Sequence, residues 1–203
     1  MDGSATPFIR AARPSRERTV REHTMCDIVG YARHVSHVVR DFASYARAAG
    51  RDGQTELDVT DRLMEAVKMV RRGPHFGHVN VVTDYDGAAI MRARKAEIDQ
   101  IFVNLISNAV HAMNGRGELK LSTRVEADML VVSIGDTGCG IPMSIQARIF
   151  DPFFTTKEPG KGTGLGLSIV HRIVTKYGGA ITVESEEGQG TIFRIRFPLA
   201  AVS

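Results

Sequence analysis

Residues 96–113, AEIDQIFVNLISNAVHAM, have the pattern of one amphipathic helix with two asparagines beside an apolar stripe. The stripe recurs at steps of three and four residues, which is the spacing of a helix face that packs on a core. It consists of Ile98, Ile101, Leu105, Ala109 and Ala112. Asn104 and Asn108 stand one turn apart next to this stripe. A carboxamide in such a place either makes a structural hydrogen bond or holds a ligand.

Two glycine-rich stretches follow this helix, residues 136–141 (DTGCGI) and residues 162–167 (GTGLGL). Each stretch alone is a weak signal, because a plain turn explains an isolated DxGxG. In this order, after the paired asparagines, they favour a ligand. We infer that the ligand is ATP with Mg²⁺.

The asparagine pair suits a magnesium site. Mg²⁺ is usually held by one or two protein oxygens together with phosphate oxygens and water, and Asn108 is predicted to provide such an oxygen. Asn104 is expected to reach a phosphate or a metal-bound water, but a carboxamide is not a base. His111 lies one turn beyond Asn108 and either contacts phosphate or is an ordinary helix-edge histidine. The site should therefore bind ATP well and hydrolyse it poorly.

Asp136 ends an apolar strand, where a charge is costly unless it accepts hydrogen bonds. Such an acceptor suits the exocyclic amine of adenine. Gly138 and Gly140 allow the backbone to approach the base more closely than any Cβ would. Cys139, between them, is interpreted as a packing residue without a catalytic role.

The segment from Phe150 to Thr163 has no clear periodicity, and connections of this length are often lids or binding loops. Phe150, Phe153 and Phe154 are predicted to anchor its base. Lys157 is predicted to reach phosphate oxygens, as is Lys161. The glycines of residues 162–167 lead into a helix, whose free amides and positive end favour an anion.

Composition excludes several classes of protein. The chain has 203 residues, a net charge of +3 and no basic stripe interleaved with aromatics, so nucleic acid is not the expected partner. Two distant cysteines indicate a reducing cytoplasm. Charges interrupt every apolar run well before the roughly 18 residues of a membrane-spanning helix.

The chain divides into an arm, a helix and a mixed domain. Residues 1–16 are expected to be a disordered arm. Residues 17–50 show a heptad seam that is predicted to dimerise the protein or to dock on another chain. Residues 53–200 are predicted to alternate strands and helices. The expected strands are 56–59, 78–84, 88–92, 119–126, 129–136, 180–184 and 191–197, and the other helices are 60–72, 142–149 and 165–177.

These motifs resemble the catalytic and ATP-binding domain of bacterial two-component sensor histidine kinases, in the gyrase, chaperone, histidine kinase and MutL superfamily. Residues 104–113 are similar to its asparagine box, 136–141 to its first glycine box, 150–157 to its phenylalanine box and 162–167 to its second glycine box. The resemblance covers residues 53–198. It implies an α+β fold, a two-layer sandwich of the Bergerat type with a mixed sheet backed by helices, preceded by a long bundle-forming helix.

The resemblance also implies roles for individual residues. Asn108 would bind Mg²⁺, Asp136 would read adenine, Thr191 would support adenine through water, and the segment after Phe150 would be the ATP lid. The implied catalytic residues are Asn104 and Lys157. The implied nucleotide-binding residues are Asn104, Asn108, His111, Asp136, Gly138, Gly140, Ile141, Phe150, Lys157, Gly162, Thr163, Gly164, Leu165, Gly166, Leu167 and Thr191.

Residues 17–49 resemble the second helix of the family's dimerisation and phosphotransfer hairpin. The family's phosphoacceptor histidine lies on a preceding helix and is usually followed by an acidic residue. His23, His34 and His37 are followed by threonine or valine and are interpreted as ordinary helix residues. The acceptor is therefore expected on a missing or separate segment.

The chain is predicted to be a cytoplasmic, dimeric histidine kinase core that acts with a response regulator. The alternatives are an ATP-dependent regulatory module without phosphotransfer and, third, a related ATPase or serine kinase. Asn104 argues against the ATPase, because the superfamily's hydrolases carry glutamate there.

Overall fold

The computed structural model describes residues 53–73, 75–87, 89–158 and 162–199. The expected arm and the expected dimerisation helix lie outside these residues. The strands are β1 (Thr55–Asp58), β2 (His78–Tyr85), β3 (Ile90–Ala93), β4 (Arg116–Glu126), β5 (Met129–Asp136), β6 (Ala180–Glu186) and β7 (Gly190–Pro198). The helices are α1 (Val59–Arg71), α2 (Lys95–Ala112), α3 (Met143–Gln146) and α4 (Gly166–Lys176).

Five strands form the main sheet in the order β2-β4-β5-β7-β6. Strands β2 and β4 run parallel, and the other neighbours are antiparallel. Strands β1 and β3 form a separate antiparallel ribbon. In the helical layer, α2 contacts α1 on one side and α4 on the other. This mixed sheet backed by helices confirms the predicted two-layer α+β fold.

Helix α2 lies at the centre of the core, as its apolar stripe predicts. Ile98, Ile101, Leu105 and Ala109 are buried against the sheet and neighbouring helices, and Ala112 is half-buried. Burying each large apolar side chain contributes roughly 1.5 to 3 kcal/mol. Asn104 and Asn108 remain half-buried at the margin of this stripe. The core therefore fixes the orientation of the two asparagines.

The hairpin of β4 and β5 turns at Ala127-Asp128, where Ala127 has a φ of 52°. It is the predicted hairpin, with β4 beginning three residues earlier than expected, at Arg116. Other boundaries differ near the first helix. The Asp58 side chain accepts a hydrogen bond from the Thr60 amide and caps α1, so neither Thr60 nor Asp61 is the cap. Val59 belongs to the helix and not to the preceding strand.

No helix among the described residues is long and apolar enough to cross a membrane.

Candidate functional site

The two asparagines of α2 differ in how their carboxamides are used. Asn104 Oδ1 accepts a hydrogen bond from Gln100 at 2.9 Å, and its Nδ2 donates to the Gly166 carbonyl at 3.0 Å. Asn104 therefore ties α2 to the start of α4. The Asn108 side chain makes no hydrogen bond with any residue that the structure describes. Its carboxamide oxygen is available to a ligand.

Asp136 lies at the end of β5 with only 9% of its surface exposed. Its carboxylate accepts hydrogen bonds from the Gly138 amide at 2.8 Å and from the Thr191 backbone. Burial raises the pKa of Asp136 to about 6, although both hydrogen bonds act to lower it. The side chain is an acceptor on the floor of the site, and neutral solution keeps it mostly ionised.

The loop after Asp136 is held close to two other parts of the chain. A Cβ on Gly138 would lie 2.6 Å from the Ala112 carbonyl carbon, and one on Gly140 would lie 2.0 Å from the Glu186 carbonyl oxygen. Gly140 also has a φ of +69°. These glycines allow the loop to rest against the end of α2 and the end of β6. Cys139, between them, is exposed, so the interpretation of it as a packing residue is wrong.

Ser185, which the sequence reasoning missed, joins this loop to the start of β7. Its hydroxyl accepts from the Ile141 amide at 2.8 Å, donates to the Gly190 carbonyl at 2.9 Å, and lies 2.9 Å from Thr191 Oγ1. Gln146 of α3 adds hydrogen bonds to the carbonyls of Ile141 and Ser185. Ser185 and Thr191 are paired across β6 and β7, so extending β6 by one residue would have placed them together from sequence.

The segment after Phe150 begins with three phenylalanines that have different surroundings. Phe150 packs near Phe193 and His171, and Phe154 lies under the Arg148 guanidinium. Both are partly buried against the core. Phe153 is 72% exposed with a φ of 65°, so its side chain does not anchor the base as predicted. Its amide instead donates to the Gly164 carbonyl at 2.9 Å.

The second glycine stretch brings the segment back to α2. Gly164 has a φ of +67°, and a Cβ there would lie 2.3 Å from the Phe153 carbonyl carbon. Thr163 Oγ1 accepts a hydrogen bond from the Leu165 amide at 3.3 Å. Leu165 then precedes α4 without a side-chain cap, and Leu167 packs against the core. The first-turn amides of α4 thus begin beside Asn104, where the helix dipole favours an anion.

Lys157 lies next to the second glycine stretch and acts on α2. Gly162 lies against it, since a Cβ on Gly162 would be 3.0 Å from Lys157 Cδ. Desolvation lowers the pKa of Lys157, although much of the side chain is solvent-exposed. Its charge also acts on His111, whose Nδ1 lies 2.6 Å from the Ser107 carbonyl. Lys161 lies outside the described residues.

The predicted site residues therefore lie on α2 or next to it. The loop with Asp136 meets α2 at Ala112, Lys157 influences His111, and the start of α4 meets α2 at Asn104. Among the described residues, no group of three or more His, Cys, Asp or Glu side chains could hold a metal ion. The site consists of an acidic acceptor near the end of α2, the Asn108 carboxamide, to which no described side chain bonds, and the first-turn amides of α4 beside Asn104.

This fold and arrangement define the class of ATP-binding domains with a mixed sheet backed by helices. The chain belongs to the family of histidine kinase-, DNA gyrase B- and HSP90-like ATPases, whose family model matches residues 93–201. Sensor kinase CckA of Brucella abortus (strain 2308) is 44% identical in an alignment 123 residues long, which covers 53% of this chain and 13% of CckA.

Solved structures agree with this assignment. The catalytic domain of histidine kinase ThkA has a TM-score of 0.65 at 30% identity, and the match covers 72% of this chain and 96% of that domain. Full-length ShkA has a TM-score of 0.69 at 25% identity, and the match covers 94% of this chain and 41% of the ShkA chain. The resemblance to histidine kinase ATP-binding domains is confirmed. The chain spans at most 42% of the curated relatives compared with it.

Proposed function

We propose that this chain is the Mg-ATP-binding catalytic core of a two-component histidine kinase. It would transfer the γ-phosphoryl group of ATP to a histidine on a separate segment. In that step a bond forms between an imidazole nitrogen and the γ-phosphorus, and the bond from phosphorus to the β–γ bridging oxygen breaks to release ADP. One observation carries the proposal. Asn108 lies on α2 between the points where the loop after Asp136 and the start of α4 contact that helix.

In this proposal the described residues bind and orient the nucleotide. Asp136 accepts the hydrogen bond of the adenine amine, with Gly138, Gly140 and Ile141 against the base and Thr191 beside the acid. The amides of residues 162–167 and the Lys157 ammonium bind phosphate oxygens. The structure of ShkA was solved in complex with AMPPNP, which supports a nucleotide as the ligand.

Asn108 would hold Mg²⁺ together with phosphate oxygens, and its unpaired carboxamide oxygen fits that hard cation. When bound, magnesium neutralises charge on the phosphates. Asn104 is committed to Gln100 and Gly166, so it positions the start of α4 and supplies no base. Because no base activates water at this position, we expect slow ATP hydrolysis, which leaves ATP intact for phosphoryl transfer.

The rest of the proposal concerns the whole protein. Residues 17–49 would dimerise it, with the ATP-binding domain spanning residues 53–200. The cytoplasm would be its compartment, and a response regulator would receive the phosphoryl group. The histidine kinase relatives, each of which the chain matches only in part, support the transfer to a response regulator.

The test uses γ-labelled ATP with the full chain and a separately supplied helix that carries an acceptor histidine. We expect label on the acceptor that is labile in acid and stable in base, as phosphohistidine is. ATP binding without transfer to any acceptor would overturn the kinase and favour a regulatory module that binds ATP.

Asn108→Ala tests the metal role within the same experiment. It should abolish the magnesium-dependent part of ATP affinity, measured by calorimetry, while circular dichroism stays unchanged. Asn80→Ala, which alters an exposed asparagine on β2, is the matched control and should bind like the unaltered chain. If magnesium still raised the ATP affinity of Asn108→Ala as much as it raises that of the unaltered chain, the assignment would be contradicted.

A further inference from the structure

An open cleft of about 360 Å³ lies beside the nucleotide site, between the loop after α1 and the end of α2. Of its lining, only Val110 and His111 belong to the asparagine box. The lining combines side chains from β2, α2, β4 and the loops next to them with the backbone of two glycines. The lining residues with polar side chains are His75, His78, His111, Asn114 and Arg116.

The charge of this lining has one sign. It holds three imidazoles and one guanidinium, and none of the lining residues that the structure describes is acidic. Arg116 makes no ion pair within the described ranges, whereas Arg124 pairs with Asp84 and Arg194 with Glu184 on the sheet. Unpaired cationic donors around a concave surface are suited to an anion, because each gains a charge-assisted hydrogen bond.

Two histidines from different elements meet in the cleft. The rings of His75 and His111 have centroids 4.8 Å apart and planes inclined by 43°. The Nδ1 atom of His111 lies 2.6 Å from the Ser107 carbonyl, so Nδ1 carries hydrogen and Nε2 is the atom that gains or loses a proton. Two adjacent imidazoles repel each other when both are protonated, and a bound anion removes that repulsion.

The groups around His111 oppose its protonation in the free protein. Burial lowers the pKa of His111, and the charges of Lys157 and His75 lower it further, while the hydrogen bond to Ser107 acts the other way. Arg116 and His78 face the same cleft. A phosphate among these cations would reverse the balance and favour the protonated ring.

The backbone holds the two histidines together. Gly77 and Gly115 have φ values of +48° and +71°, and a Cβ on Gly77 would lie 2.4 Å from the Gly115 carbonyl oxygen. The His78 amide donates to that same carbonyl at 2.7 Å. The loop that carries His75 is therefore fixed against the end of α2. The pairing of the histidines follows from the backbone and not from chance contact of two exposed side chains.

We propose that this cleft binds a phosphate group and that binding is coupled to proton uptake by His111, whose ring lies beside that of His75. The phosphate is either part of the nucleotide bound on the other side of His111 or a separate phosphate anion. If the phosphate is that of the nucleotide, the inference rests on the proposed function. If it is a separate anion, the inference does not. The site extends the phosphate contacts beyond the four boxes to a loop that precedes them in the chain.

The test is a pH titration of the histidine C2–H resonances of the full chain by NMR, from pH 5.5 to 8. One arm adds inorganic phosphate and the other adds ATP. We expect phosphate or ATP to raise the pKa of His111 and to shift the His75 resonance. For a pKa rise of roughly one unit, phosphate affinity should be about fivefold higher at pH 6 than at pH 8, compared for the same ionic form of phosphate.

Variants separate this cleft from general effects of charge. His75→Gln and Arg116→Gln should each weaken phosphate binding at pH 6 several-fold. His171→Gln alters an exposed histidine on α4 outside the cleft and should leave phosphate binding unchanged. Because Arg116 is exposed, its variant tests the cleft even where His75→Gln disturbs the loop.

The outcomes distinguish the two proposals. An unchanged His111 titration with both ligands, while calorimetry records ATP binding, would overturn the cleft and leave the proposed function standing. A phosphate response without any heat from ATP would support the cleft and overturn the proposed function. A response to ATP alone assigns the phosphate to the nucleotide, and a response to both ligands assigns a site that accepts free phosphate.

Discussion

At the scale of single residues, Asp136 carries an energetic cost that its position explains. It is the buried acidic side chain at the end of β5, and two backbone amides do not fully replace the water it has lost. Its pKa is therefore raised to about 6. A group kept in this unfavourable state at a pocket floor is characteristic of a functional site.

The raised pKa of Asp136 predicts how stability depends on pH. In the unfolded chain the carboxyl has its ordinary pKa of 3.8, so the folded protein binds the Asp136 proton more tightly. This tighter binding adds to the free energy of unfolding, and its contribution is complete below pH 3.8. It is lost as pH rises through about 6. The difference in free energy of unfolding between the chain and Asp136→Asn should fall by about 3 kcal/mol across this window.

Urea unfolding at pH 4, 5, 6 and 7 measures that difference, and Asp136→Asn serves as the reference for all other carboxyl groups. The same variant should weaken adenosine binding at pH 7, because a carboxamide is a weaker acceptor for the adenine amine. A difference in stability that is independent of pH would contradict the burial argument.

At the scale of elements, one hydroxyl on β6 makes three contacts that join two other parts of the site. Ser185 links the loop after β5, the start of β7 and Thr191 through contacts of 2.8 to 2.9 Å. The amide of Thr191 in turn holds Asp136. The adenine end of the site is thus maintained by β6 and β7 as well as by the loop that carries its motif.

Ser185→Ala should leave the Ile141 amide without its acceptor and loosen this loop. We expect unfolding free energy to fall by about 1 to 3 kcal/mol and ATP to bind several-fold more weakly. Thermal unfolding and calorimetry measure the two effects. Ser133→Ala, at a half-buried serine of β5 with no side-chain hydrogen bond in the described part of the chain, is the matched control. Affinity equal to that control would contradict the role given to Ser185.

At the scale of the whole molecule, α2 and α4 are tied together at both ends. Near the site, Asn104 bonds to Gly166, and at the far end Glu97 accepts from Lys176 at 2.6 Å and from Tyr177 at 2.5 Å. Glu97 is buried, so this ion pair is partly shielded from water. These contacts therefore hold α4 in a fixed position relative to α2, the helix that carries Asn108.

The heptad seam of residues 17–49 predicts the oligomeric state of the whole chain. Its apolar positions are Ile28, Ala32, Val35, Val39, Phe42 and Ala46. Their exposure would cost roughly 1.5 to 3 kcal/mol per large side chain, so a second copy is expected to cover them. Sedimentation at micromolar concentration should give dimers, and Val39→Asp should give monomers. Arg47→Gln, off the seam, should remain dimeric. If the unaltered chain were a monomer, the prediction that the seam dimerises the protein would be wrong.

The sequence by itself determined the parts of this protein that depend on neighbouring residues. The stripe of α2, the hairpin of β4 and β5 and the family of the domain follow from periodicity, turn residues and motif order, which are local properties. The same local reasoning misjudged Cys139 and Phe153. Whether a side chain next to a glycine or a proline is covered depends on segments elsewhere in the chain.

The tertiary structure alone decided the contacts between distant segments. It paired Ser185 with the loop after β5 and bonded Asn104 to α4, while no described residue bonds to the Asn108 side chain. It also brought the ring of His75 to 4.8 Å from that of His111. Residues 36 to 62 positions apart meet in these pairs only because the sheet and helices pack around α2. A single sequence carries no periodic signal for such meetings, since they arise from the packing of whole elements.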